Sequence, residues 1–285
     1  EEWPALVEWL KKDPTEQWMR GDDGWRDVCT THFGESLKAL LILSKQNIWP
    51  EQRWREAIQA WSRNDMPRLT WESVAPLIDT MPDDMLYKVS NSLSWWLESC
   101  SKTLSSHQDI FRGICKRMLA IPFEVQSDAQ GGHGSDENPV SEAINHPIGH
   151  ITEAMINHLF SNDMEDGDLL PGWLEPSLTA LCDLHTAVFR HGRVILAANV
   201  ISLLRIDPSW TKRTLLPLFS WENDVEARSA WAGFLWSPRL YKPLFDLFKM
   251  DFLATANHLN RLVAHSNQYI SVLTYVALDM TEGFT

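Results

Sequence analysis

Apolar residues return every third or fourth position through nearly the whole chain, and prolines cut that pattern into short lengths. A helix repeats every 3.6 residues and a strand every two, so this spacing selects helices. The pattern is densest in Ser220–Phe248, SWENDVEARSAWAGFLWSPRLYKPLFDLF. Ala227, Ala230, Trp231, Phe234 and Leu235 fall there at i, i+3, i+4, i+7 and i+8 and make one apolar stripe. Asn223 or Asp224 can cap that helix, and Glu226 stands in capping-box spacing from Asn223. Ser237-Pro238 should end it and open the next, since proline suits a first helical turn and not an interior. A helical hairpin is the expectation.

The same logic runs along the rest of the chain. Trp3–Lys12 reads as a short helix ended by Asp13-Pro14, and Gly34 should split the apolar run that starts at Trp25. Trp49-Pro50 opens a helix with Trp54, Ala57, Ile58 and Trp61 on one face. Thr70 should cap Trp71–Met81, with a kink at Pro76, and Pro82-Asp83 starts a longer helix. Ser106 and Asp109 have capping-box spacing before Ile110.

Residues 123–139 are rich in Gly, Ser, Asp and Gln and read as a flexible linker. It would join an N-terminal helical subdomain, 1–122, to a C-terminal helical-repeat subdomain, 140–285. In the second, Asp207-Pro208 and Ser237-Pro238 lie thirty residues apart, about the size of a helical repeat unit. The expected fold is all-α, an irregular α-solenoid of stacked antiparallel hairpins of the HEAT-like kind.

Charge narrows the partners. A net charge of −13 over 285 residues argues against nucleic acid, which needs clustered Lys and Arg. No apolar run reaches the ~18 residues of a membrane span, and the start, EEWPALVEWLKK, is too charged for a secretory signal. Beginning at Glu1 without methionine fits a fragment or processed product. Cys29, Cys100, Cys115 and Cys182 lie far apart, as expected of reduced, buried thiols in a cytoplasmic protein. Fifteen tryptophans are many for this length. They can fill layers between helices or form a recognition surface, where Trp and Arg dominate binding energy; Trp221, Trp236 and Arg239 are the candidates for partner binding.

Four groups invite a chemical reading. His146, His150, Glu153 and His158 have spacings at which a helix can aim side chains together at a metal. Pro147 and Gly149 interrupt the first interval, and capping or packing histidines are the plainer account. Cys182 and His185 could pair as thiolate and imidazole, but Cys182 sits in the apolar run LTALCDLH. Asp163, Glu165, Asp166 and Asp168 lack the alternate spacing and closing Glu of a calcium loop. Gly131-Gly132-His133-Gly134 has no following Lys-Ser/Thr and is no phosphate loop.

Two stretches, NHPIGHITEAMINHLF (Asn145–Phe160) and LFSWENDVEARSAWAGFLWSPRLYKPLFDLF (Leu218–Phe248), resemble the C-terminal helical region of large bacterial sirtuin-linked anti-phage defence proteins. In that family an NAD-consuming domain sits at the N-terminus, and the helical remainder is thought to sense phage or assemble the complex. Nothing in this sequence resembles the sirtuin part, because there is no glycine fingerprint and no strand–helix alternation. The resemblance implies a non-catalytic scaffold or sensor segment without a cofactor. Its partner would be a protein, either a phage protein or another part of the same defence protein. The alternative is a helical metal-dependent hydrolase built on the His146–His158 region. The sequence sets no oligomeric state.

Overall fold

The computed structural model describes residues 3–12, 23–104, 106–123 and 138–279, and the segment read as a linker lies almost wholly outside them. Among the described residues the chain is all-helical, with no strand. It divides into two compact units, one of Glu1–Pro122 with Ala154–Ser161, the other of Phe123–Glu153 with Asn162–Thr285.

The first unit is built on α1 (Trp3–Leu10), α2 (Trp25–Thr31), α3 (Phe33–Lys45), α4 (Glu51–Trp61), α5 (Met66–Asp79), α6 (Asp83–Ser101) and α7 (Gln108–Leu119). Helices two apart in the chain pack together: α4 lies against both α2 and α6, and α5 against α7. Tryptophans fasten these pairs, and one also joins the adjacent α5 and α6. Trp25 Nε1 donates to the Arg53 carbonyl (2.9 Å), Trp61 Nε1 to that of Cys29 (3.1 Å), Trp71 Nε1 to that of Ser106 (2.8 Å) and Trp96 Nε1 to Thr70 Oγ1 (3.1 Å). Each buries a large apolar ring while its one polar atom finds an acceptor, so no desolvation penalty remains there.

Several local expectations are corrected. The break between α2 and α3 falls at His32, and Gly34 lies in the first turn of α3. α5 begins at Met66, with Pro67 in its first turn, and runs through Pro76. Thr70 is therefore no cap; it is buried inside the helix, where its hydroxyl is needed as the acceptor for Trp96. The residue before α7 is His107, in a left-handed conformation (φ 54°), without a side-chain cap. Ser106 turns to Glu72 and Asp109 to Arg112 instead.

The second unit carries α8 (Pro139–Ala143), the first half of α9 (Pro147–Phe160), α10 (Glu175–Leu181), α11 (Arg190–Ala198), α12 (Val200–Ile206), α13 (Pro208–Trp210), α14 (Asp224–Trp236), α15 (Lys242–Ala254) and α16 (Ser266–Asp279). The helical run from Ala187 to Ile206 is broken at Asn199, and the two pieces are bent by 74°. The two prolines thirty residues apart do not open equivalent helices. Asp207 caps α13, which passes within three residues into a π-helical turn, Thr211–Leu215. Pro238 lies in a loop, and Pro243 is the proline in the first turn of α15.

α14 is the centre of this unit. Asn223 accepts from the Glu226 amide as expected, at 3.3 Å. One side of α14 crosses α11 so closely that a Cβ on Gly233 would stand 2.3 Å from the Val194 carbonyl oxygen. The other side carries Trp231, fully buried, with its Nε1 on the Phe219 carbonyl (3.0 Å) and its ring stacked on Phe248 (5.1 Å between centroids, 12°). Phe219, Phe234, Phe245 and Phe252 close around that pair in edge-on and tilted contacts. No single helix among the described residues is long and apolar enough to cross a membrane.

Candidate functional site

The residues singled out for metal chemistry are put to other uses. His146 precedes α9, and its Nδ1 accepts the Ile148 amide at 3.1 Å, which caps the helix and fixes a neutral tautomer. Its ring stacks on His191 (4.1 Å, 17°) and meets Phe123 edge-on. Burial, then the neighbouring His150, pushes its pKa down to about 4. His191 falls to about 3 through burial, with His146, Arg190 and Arg193 adding to it. Gly149 lies in the first turn of α9 where a Cβ would meet the Ala143 carbonyl oxygen at 1.8 Å, so Pro147 and Gly149 start the helix and do not break it. His158 belongs to the other unit, buried edge-on against Phe111 (5.0 Å), with its pKa lowered by burial and by Arg112. Among the described residues no three His, Cys, Asp or Glu side chains converge as a metal site.

Of the other chemical candidates, Cys182 is buried, while His185 and the acidic loop are exposed. Burial pushes the Cys182 thiol up to about 12, against a partial pull from Arg193, which is the reverse of an activated nucleophile. The thiols of Cys29, Cys100 and Cys115 are raised by burial too. In the acidic loop, Asp166 pairs with Arg205 at 2.9 Å, and Asp168 accepts the Glu165 amide at 2.7 Å. The amides of Gly167 and Leu169 then bond the carbonyls of Arg205 and Ile206, which ties the loop to the end of α12. Residues 131–134 lie outside the described residues.

Sequence reasoning missed the most heavily bonded charge in the unit. Arg193 is 1% exposed, and its fork meets both Glu226 oxygens, Nε to Oε2 at 2.7 Å and Nη2 to Oε1 at 3.0 Å. Nη1 donates to the carbonyls of Leu181, Asp183 and Thr186 at the end of α10, and Arg190 adds a second cation on Glu226 at 3.1 Å. A buried pair is tolerable when its polar atoms are engaged, and here all three guanidinium nitrogens and both carboxylate oxygens are. The signal available in sequence was a Glu at a capping-box position, and the capping reading absorbed it.

The surface candidates separate clearly. Trp221 is half-buried: its Nε1 donates to Thr255 Oγ1 (2.8 Å) and its ring stacks on His258 (4.0 Å, 5°), which Asp224 also faces. Trp236 is 50% exposed at the end of α14, and Arg239 is exposed in the loop that follows. That loop and α16 bound an open groove of about 570 Å³, lined by Pro238 and Leu240 on one side and by Asn267, Gln268, Val272 and Tyr275 on the other. Tyr275 is 63% exposed and Leu240 40%. Comparison of the chain with protein-family models, curated proteins and solved structures returned no match.

Proposed function

We propose that the chain is a non-catalytic helical scaffold that docks a protein partner through the face formed by the 237–241 loop and α16. The observation that carries this is the groove itself: it is lined by the apolar Pro238, Leu240 and Val272, one exposed aromatic, Tyr275, and the amide side chains Asn267 and Gln268, and the loop that forms it follows the half-exposed Trp236. Recognition surfaces combine these elements, whereas the four cysteine thiols are buried and His146, His158 and His191 pack against other rings. Within this reading the helices form an irregular, HEAT-like α-solenoid. Two features favour it: the packing of helices two apart, and six indole N–H bonds that join residues 26 to 35 positions apart, about one hairpin. The resemblance of Asn145–Phe160 and Leu218–Phe248 to sirtuin-linked defence proteins supplies a setting, a segment that senses phage or holds a complex together in the bacterial cytoplasm.

The test is to place Trp236→Ala, Leu240→Ala and Tyr275→Ala together in the natural full-length protein and challenge cells with phage. The substituted side chains are exposed, so protein level and melting temperature should hold while protection is lost. Undiminished protection at normal protein level would remove this face from the function.

A further inference from the structure

Two basic residues lie in the chain segment that forms one side of the groove. Arg239 sits between two of its lining residues, Pro238 and Leu240, and Lys242 follows two positions later. Both are exposed, and among the described residues neither has an ion pair or a side-chain hydrogen bond. From Ser237 to Met250 the sequence carries Arg239, Lys242 and Lys249 against Asp246 alone, and Leu262 to Leu278 carries no acidic or basic side chain other than the histidine at 265. His265 is held neutral at pH 7 by burial. This cationic edge stands in a chain whose net charge is −13. The carboxamides of Asn267 and Gln268, which line the groove, are also without hydrogen-bond partners among the described residues.

From this juxtaposition we infer that the groove between the 237–241 loop and α16 takes an extended acidic peptide, a segment with Asp or Glu flanking an apolar anchor. The anchor lies between Leu240 and Tyr275 and removes both from water. The carboxamides of Asn267 and Gln268 each offer a donor and an acceptor to an extended backbone, whose own groups are unpaired when it is not in a sheet or helix. The guanidinium of Arg239 presents a planar fork to a carboxylate, and Lys242 adds a point charge beside it. A partner rich in lysine would meet like charge at the lip and opposite charge only on the rest of the surface.

This inference rests on the docking reading, and one experiment separates the two. A random twelve-residue peptide library displayed on phage is panned on the immobilised full chain, with Ser271→Trp, which fills the groove from an exposed position, as the control. Enrichment of peptides with excess Asp and Glu, lost on Ser271→Trp, is the expected result. The best peptide should then bind at least tenfold more weakly to Arg239→Glu/Lys242→Glu, with unchanged melting temperature. Enrichment of neutral or basic peptides that still needs an open groove overturns the acidic specificity and keeps the docking site. Enrichment equal on chain and control overturns both. Sedimentation of the chain and of Ser271→Trp covers the remaining occupant: a dimer that the substitution dissolves would assign the groove to a second copy and overturn the peptide.

Discussion

Trp231 and Trp236 stand five residues apart on one helix and have opposite surroundings. Trp231 is fully buried, hydrogen-bonded to the Phe219 carbonyl and stacked on Phe248. Trp236 is 50% exposed at the helix end, where the chain leaves for the loop that borders the groove. An indole in the first position contributes area and a satisfied donor to stability. In the second it leaves half of a large apolar ring in water, where a partner can cover it. One residue type therefore serves the fold and the surface within a turn and a half of helix, and location alone decides which.

The sharpest way to break this contrast is Trp231→Ala. Emptying that site should cost roughly 3–5 kcal/mol, read from urea unfolding midpoints. A small loss would mean that the phenylalanines close the space. Next comes Arg193→Met, which leaves Glu226 buried with only Arg190 to face it and should also cost on the order of 3–5 kcal/mol. Adding Glu226→Met should recover part of that loss, because no buried charge is then left uncompensated. No recovery would show that the three carbonyls held by Arg193, and not the ion pair, carry the effect.

Acid should weaken the buried side of the comparison by a smaller, graded amount. Unfolded imidazoles take a proton near pH 6.5, while His146 and His191 hold off until about 4 and about 3. The unfolded chain then binds more protons within that window, so this contribution is intact above pH 6.5 and declines as pH falls toward 4. Thermal melts at pH 7, 5.5 and 4.5 should show a shallower decline for His191→Phe than for the parent chain, and equal slopes would acquit the stacked pair. The smallest effect on stability belongs to Trp236→Ala, expected within about 0.5 kcal/mol. If that variant unfolds as Trp231→Ala does, the surface role assigned to Trp236 is wrong.

The helices were legible because their causes are local. Pro50 and Pro82 stand just before α4 and α6 as read, and Trp54, Ala57, Ile58 and Trp61 are all buried on one face. Side chains that could choose among several partners were not legible. Thr70 looked like a cap and became an acceptor for Trp96, twenty-six residues on. Glu226 sits at a capping-box position and is bonded by an arginine thirty-three residues away. The candidate groove was readable only through two of the three surface residues named from sequence, Trp236 and Arg239, since Trp221 is engaged by Thr255 and His258. That groove needs α16, whose side chains Asn267, Gln268 and Tyr275 carry no motif.

By itself the sequence determined an all-helical chain, since a 3.6-residue period and proline punctuation act through bonds and contacts within a few residues. Tertiary structure alone decided which face of each helix is doubly covered. α14 shows why: its stripe predicted one buried face, but Ala232 and Gly233 are buried as well, because α11 presses on them from outside the stripe. Burial depends on what lies across the space from a residue, and periodicity along one helix carries no information about its neighbours.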